Sequence, residues 1–146
     1  MRSILVTGCA GFIGSNFVPF FLEKYPEYHI INLDLLTYAG NLENLAEVAG
    51  HERYTFVEGD IFDRILLERL FNLYDIRGVI HFAAESHVDR SIDDAGPFIQ
   101  SNIVGVYELL EASRKYVASL STEHRKCFRF LQISTDEVYG DLEETG

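Results

Sequence analysis

Ser3-Ile4-Leu5-Val6-Thr7-Gly8-Cys9-Ala10-Gly11-Phe12-Ile13-Gly14 is the stretch that decides the fold. Ser3 to Thr7 is a short apolar run of the kind that becomes a strand buried on both faces. Three glycines follow at a GxxGxxG spacing. From Gly11 to about Lys24 the apolar side chains of Phe12, Ile13, Phe17, Phe20 and Phe21 suit a helix, with Pro19 inside it. Strand, glycine turn and helix in that order begin a βαβ unit.

Working outward, the same alternation repeats. His29 to Asp34 predicts a second strand, and Asn41 to Val48 a short helix closed by Gly50. Tyr54 to Glu58 predicts a third strand. Asp63 then caps a helix running to about Tyr74, with Ile65, Leu66, Arg69, Leu70 and Leu73 on its repeat. Gly78 to Ala83 predicts a fourth strand, Pro97 opens a long helix to about Val117, and Phe128 to Ser134 predicts a fifth strand. The strands are continuous apolar runs, as in a sheet covered on both faces. The expectation is an α/β fold, a doubly wound parallel sheet of strand order 3-2-1-4-5.

Composition narrows the function classes. The chain has 146 residues and a formal charge of −11, with 12 Lys and Arg against 23 Asp and Glu. So acidic a surface disfavours nucleic acid and anionic membranes as partners, although His124-Arg125-Lys126 could meet a single phosphate. No run is long and apolar enough for a membrane span or a signal peptide, which leads us to expect a cytoplasmic protein. Cys9 and Cys127 are far apart, with no metal-ligand spacing around them, and read as reduced thiols packed like small apolar groups. No metal is expected.

The glycine loop carries the first chemistry. Its first glycine permits a tight turn, its second lets the backbone approach a pyrophosphate, and its third lets helix and strand pack closely. The helix N-terminus then offers free amides and a positive dipole end. Asp34 ends the second strand about 20 residues past Gly14, where a carboxylate would grip an adenosine ribose and repel a 2′-phosphate. This points to a dinucleotide-binding (Rossmann) fold and favours NAD. The alternatives are a purely structural turn and, for Asp34, a mere strand terminator.

Five blocks carry a family resemblance. They are Val6 to Asn16, Asp34-Leu35-Leu36-Thr37-Tyr38-Ala39-Gly40-Asn41, His81 to Ser91, Asn102-Ile103-Val104-Gly105, and Ser134-Thr135-Asp136-Glu137-Val138-Tyr139-Gly140. The first resembles the cofactor loop of extended short-chain dehydrogenases acting on nucleotide sugars. Together they resemble the dTDP-glucose 4,6-dehydratases within that family, and the Thr-Asp-Glu triplet is the specific part. The resemblance implies NAD held by Gly8, Gly11, Phe12, Ile13 and Gly14 at the pyrophosphate. Asp34, Leu35, Leu36 and Thr37 would surround the ribose, and Asp60 and Ile61 the adenine. Phe82, Ala83 and Ala84 would line the nicotinamide side, with Ser101 near the cofactor. Leu35 stands where relatives often carry Lys. Ser86 and Thr135 would contact a nucleotide-sugar substrate.

The reaction so implied takes hydride from C4 of the glucose ring, removes water across C5 and C6, and returns the hydride to C6. Glu137 would be the base at C5, Asp136 the acid at the C6 hydroxyl, and Thr135 the hydrogen-bond partner of the C4 oxygen. Neighbours in a strand face opposite ways, so Asp136 and Glu137 can share one pocket only if the backbone turns after Ser134. Otherwise the pair is a solvated loop or a helix N-terminus.

The family also needs a Tyr-x-x-x-Lys pair, and no tyrosine of this chain has Lys four positions later; Tyr139 meets Glu143 there and Tyr116 meets Leu120. We therefore expect a truncated NAD-binding domain without its substrate domain, inactive alone, with apolar side chains left exposed. The longer enzyme is expected to be a homodimer joined partly through the Pro97–Val117 helix. Open alternatives are a nucleotide-sugar epimerase or decarboxylase relative and a non-catalytic NAD-binding module. The base of the sugar nucleotide, dTDP or UDP, is not readable here. His81 reads as a hydrogen-bonded core residue, Asp89-Arg90 as a local ion pair, and Tyr38, Tyr107 and Tyr139 as packing residues.

Overall fold

A computed structural model describes residues 1–140, leaving aside the side chains of Asp136 and Glu137. Strands β1 (Arg2–Thr7), β2 (Tyr28–Asp34), β3 (Tyr54–Glu58), β4 (Asp75–His81) and β5 (Arg129–Gln132) form one sheet in the order β3-β2-β1-β4-β5. All four pairings are parallel. The expected α/β class and strand order are those observed.

Over β1 and β2 both faces of the sheet are covered, which is why those strands read as nearly unbroken apolar runs, whereas the edge strand β5 leaves Leu131 exposed. Neighbouring residues of β1 serve opposite cores. Leu5 joins Ile31, Leu33, Ile76 and Val79 beneath α2 (Arg64–Leu73) and α5 (Val106–Ser119), where Leu67, Leu70, Phe71 and Leu109 are buried. Val6 joins Ile30 beneath α1 (Phe12–Lys24), with Val18, Phe21 and Leu22. Asp63 caps α2 as expected, its carboxylate accepting from the Leu66 amide at 3.0 Å.

Several boundaries differ from the sequence reading. The segment after Asn41 is only a 3-10 turn, Leu42–Leu45, capped by Asn41. β4 starts at Asp75 and stops at His81, because the amides of Phe82 and Ala83 turn onto the Thr7 carbonyl and hydroxyl. The helix expected from Pro97 is three pieces: α4 (Gly96–Ile99), a π-helical segment Gln100–Gly105, and α5. Two short helices, α3 (Val88–Asp93) and α6 (Thr122–Cys127), were not expected; neither buries a side chain, so neither shows an apolar repeat.

Exposure also corrects some residues. Cys9 is buried but Cys127 is exposed. Tyr38, Tyr107 and Tyr139 are exposed rather than packed. Among the described residues Arg90 forms no ion pair with Asp89; its guanidinium lies over the Tyr38 ring, 4.1 Å from the centroid. Ile99, Ile103, Tyr107 and Leu110 form an exposed apolar stripe along α4, the π segment and α5. No helix of the described residues is long and apolar enough to cross a membrane.

Candidate cofactor and acid–base site

The glycine loop is fixed from below by β2. Gly8 has φ +76, and its amide donates to the Leu33 carbonyl at 3.0 Å. A Cβ on Gly8 would stand 2.5 Å from the Ala83 nitrogen, so the loop and the end of β4 touch through bare backbone. A Cβ on Gly14 would stand 2.5 Å from the Cys9 Cα, the close helix–strand approach expected of the third glycine. Gly11 differs: its Cβ would meet nothing nearer than the Gly8 carbonyl at 3.5 Å. The next two loop amides are also held. The Cys9 amide donates to Asn32 Oδ1 at 3.3 Å, and the Ala10 amide to Asp34 Oδ2 at 2.8 Å.

What remains free is the start of α1. Among the described residues the amides of Phe12, Ile13 and Gly14 have no acceptor, and the Phe12 and Ile13 side chains are exposed. Free amides at a helix N-terminus, beside an open Gly11, fit a pyrophosphate.

Asp34 is buried and already engaged. Its second oxygen accepts from the Leu36 amide at 2.9 Å, so the carboxylate ties both the glycine loop and the following loop to β2. Leu36 has φ 54, a conformation costly for a branched side chain. Leu35 and Thr37 are exposed. The loop folds back over Ala10, whose carbonyl accepts from the Asn41 amide at 3.1 Å and the Asn44 side chain at 2.9 Å. Asp60 turns the chain after β3, accepting from the Phe62 amide at 3.0 Å. Ile61 is buried in the α2–α5 core, so its side chain serves packing.

At the end of β4, Thr7 Oγ1 lies 2.5 Å from His81 Nδ1 and accepts from the Ala83 amide at 3.3 Å. The Thr7 hydroxyl thus bridges the Ala83 amide and the imidazole. Burial lowers its pKa to about 4, in keeping with a neutral core histidine. The Phe82 ring packs on Phe17 at 5.2 Å between centroids, leaving its backbone at the groove. Ala84 and Ser86 are exposed. Between them, Glu85 is held at both ends of its backbone by Asn102. Oδ1 accepts from the Glu85 amide at 2.9 Å, and Nδ2 donates to its carbonyl at 2.8 Å. Asn102 lies in the π segment, next to half-buried Ser101.

The Ile133 amide donates to the His81 carbonyl at 3.1 Å, the last link between β5 and β4. Ser134 and Thr135 are exposed, and the backbone bends into a 3-10 helix at Asp136–Tyr139. The backbone thus turns after Ser134, and the acidic pair stands at the start of that 3-10 helix, an arrangement that suits both a shared pocket and the helix N-terminus named as its alternative. The side chains of Asp136 and Glu137 lie outside the described residues.

Thus the ends of β1, β2, β4 and β5 carry the glycine loop, Asp34, the Phe82–Ser86 segment and Thr135, at the edge where ligands sit in open α/β sheets. Asn32 and Asn102 were not singled out from the sequence. Asn32 had a signal: an amide inside the apolar run Ile30 to Leu33 needs a partner. Among the described residues no group of three His, Cys, Asp or Glu side chains could hold a metal ion.

Comparison with known proteins agrees with this layout. The dTDP-glucose 4,6-dehydratase of Neisseria meningitidis serogroup B is 56% identical over 142 residues, covering 97% of this chain and 40% of that protein. The crystal structure of dTDP-glucose 4,6-dehydratase from Bacillus anthracis in complex with NAD superposes with a TM-score of 0.83 at 44% identity. It covers all of this chain and 41% of its own. The Streptomyces venezuelae dTDP-glucose 4,6-dehydratase with NAD and TYD bound gives 0.82 at 46% identity, over 99% of this chain and 42% of its own. The chain thus spans about two fifths of the length of the relatives it matches. The model of the GDP-mannose 4,6 dehydratase family matches residues 5–146, and the chain belongs to that family.

Proposed function

We propose that residues 1–146 form a truncated NAD-binding domain of a dTDP-glucose 4,6-dehydratase and carry its acid–base triplet, while the remaining length seen in the relatives supplies the Tyr-x-x-x-Lys pair and the substrate domain. The observation that carries this reading is the bend after β5. It brings Thr135 and the backbone of Asp136 and Glu137 to the same sheet edge as the glycine loop. NAD held there would supply hydride acceptance and return, and the C4 hydroxyl proton released with the hydride would pass to the tyrosine of the Tyr-x-x-x-Lys pair in the longer enzyme. The chain's own residues hold and orient. Free amides at Phe12, Ile13 and Gly14 meet the pyrophosphate, and the spare lone pairs of Asp34 accept from the ribose hydroxyls. Ala83 and Ala84 border the nicotinamide. Leu35, Leu36 and Thr37 flank the ribose through the loop that Asp34 anchors, and the Asp60–Ile61 backbone borders the adenine.

On the substrate side, Ser86 and Thr135 hydrogen-bond the sugar, with Thr135 at the C4 oxygen. Glu137 takes the C5 proton, and Asp136 protonates the departing C6 hydroxyl as water. Two adjacent carboxyls hold different protonation states when one environment is drier. In this reading the stripe of Ile99, Ile103, Tyr107 and Leu110 is covered in a homodimer of the longer enzyme.

Two experiments test the proposal. Calorimetric titration of the 146-residue chain should show NAD binding and no turnover of dTDP-glucose. A chimera with these residues in place of the matching part of the Neisseria meningitidis enzyme should dehydrate dTDP-glucose. Its Asp136→Asn variant should keep hydride transfer while losing water elimination. A chimera that binds NAD but only inverts C4 would replace this reading with an epimerase.

A further inference from the structure

We propose that Asn32 is a positioning residue for the pyrophosphate: from beneath the glycine loop it decides which loop amides face the cofactor. The proposal rests on the NAD reading above and deepens it. Asn32 is fully buried on β2, between Ile31 and Leu33, and pairs with Val6 in the β1–β2 register, one residue before β1 ends. Asn32 and Asp34 are two apart, so they share a strand face.

Three successive loop amides are turned down onto this one strand. Gly8 donates to the Leu33 carbonyl, Cys9 to Asn32 Oδ1 and Ala10 to Asp34 Oδ2. With those three spent, the amides left for an anion start after Gly11. The backbone contact at Gly8 comes from sheet geometry and is independent of side chains. The other two depend on Asn32 and Asp34, and only Asp34 was anticipated as part of the site.

The Asn32 amide has to be held the right way round. Flipped, it would set its NH2 group against the Cys9 N–H, donor to donor. The Tyr54 hydroxyl on β3 fixes the orientation by accepting from Asn32 Nδ2 at 2.9 Å. Tyr54 is itself buried, and its burial raises the phenol pKa, which keeps the hydroxyl neutral. A chain of contacts therefore runs from Tyr54 through Asn32 to the Cys9 amide. Without Asn32 the buried Cys9 amide loses its acceptor, the loop turns toward another, and the amides beyond Gly11 lose their common aim.

The test uses the 146-residue chain, its Asn32→Leu and Tyr54→Phe variants, and three probes: NAD, ADP and adenosine. Binding is read by NMR titration and folding by thermal melts. Asn32→Leu should weaken NAD and ADP about tenfold while adenosine, which lacks a pyrophosphate, stays within about twofold. Tyr54→Phe should show the same split at about threefold. A purely structural role would weaken all three probes together. That result, or unchanged ADP binding in both variants, overturns the proposal. Should Asn32→Leu fail to melt cooperatively, the Tyr54→Phe split decides alone. If the unaltered chain binds neither NAD nor ADP, the cofactor reading itself fails, and this inference falls with it.

Discussion

Replacing His81 with Leu should flatten the acid side of the stability profile. His81 is fully buried, and burial holds its pKa at about 4 against an ordinary value of 6.5. Between those values the unfolded chain binds a proton and the folded chain does not, so stability rises with pH across that window. The penalty is small above pH 6.5, grows as pH falls, and levels off below about 4. Each pH unit of the gap is worth about 1.4 kcal/mol, which gives a limit of about 3 kcal/mol. Linkage places about 2 kcal/mol of it between pH 7 and pH 5. Leu fills a similar volume and leaves the Ala83 amide bonded to Thr7. The assay is urea unfolding followed by far-UV circular dichroism from pH 7 to pH 4.5, in both chains. His29, whose pKa burial also lowers, and the ion-paired Glu108, whose pKa the Arg64 hydrogen bond lowers, act alike in both and cancel in the difference. Parallel profiles would refute the argument, since they would mean that His81 charges as readily folded as unfolded.

Other perturbations give separate readouts. Gly14→Ala forces a Cβ to 2.5 Å from the Cys9 Cα and should cost at least about 2 kcal/mol or prevent folding, read from a thermal melt. Asn102→Ala removes both bonds to the Glu85 backbone and should cost about 1 kcal/mol. Hydrogen exchange at the Glu85 amide should quicken in that variant. A thiol reagent should label exposed Cys127 quickly, whereas Cys9, buried and with its pKa raised by burial and by Asp34, should react only on unfolding.

The middle of the sheet was legible because β1 and β2 are buried on both faces and bounded by turn residues, while the exposed edge strand β5 came out shorter than the expected Phe128 to Ser134. Burial gives Ile30 to Leu33 a near-continuous apolar text, whereas Arg77 hid the first half of β4, and right-handed crossovers leave few orders for the strands. The glycine loop was legible for a different reason: no side chain fits at Gly8 or Gly14. What escaped were structures written in polar residues. α3 and α6 bury nothing, so periodicity is silent about them. The π segment has the composition of an ordinary helix. Arg90 stacks on a ring 52 positions away in sequence, a choice of partner that adjacency to Asp89 conceals. Asn102 reaches Glu85 only because the helix and the end of β4 meet in space. Asp34 was found, but its first duty is to two backbone amides of its own chain.

The π segment Gln100–Gly105 links a rim contact to the core. A π turn holds one residue more than the α-helix around it, in effect an insertion absorbed within a helix. Its burden falls on the stretch that carries Asn102, while Leu109 and Ala112 further along stay seated in the core. Removing one residue there would let the helix close into plain α geometry, withdraw the grip on Glu85 and disturb the close seat of Gly105 against Ile61.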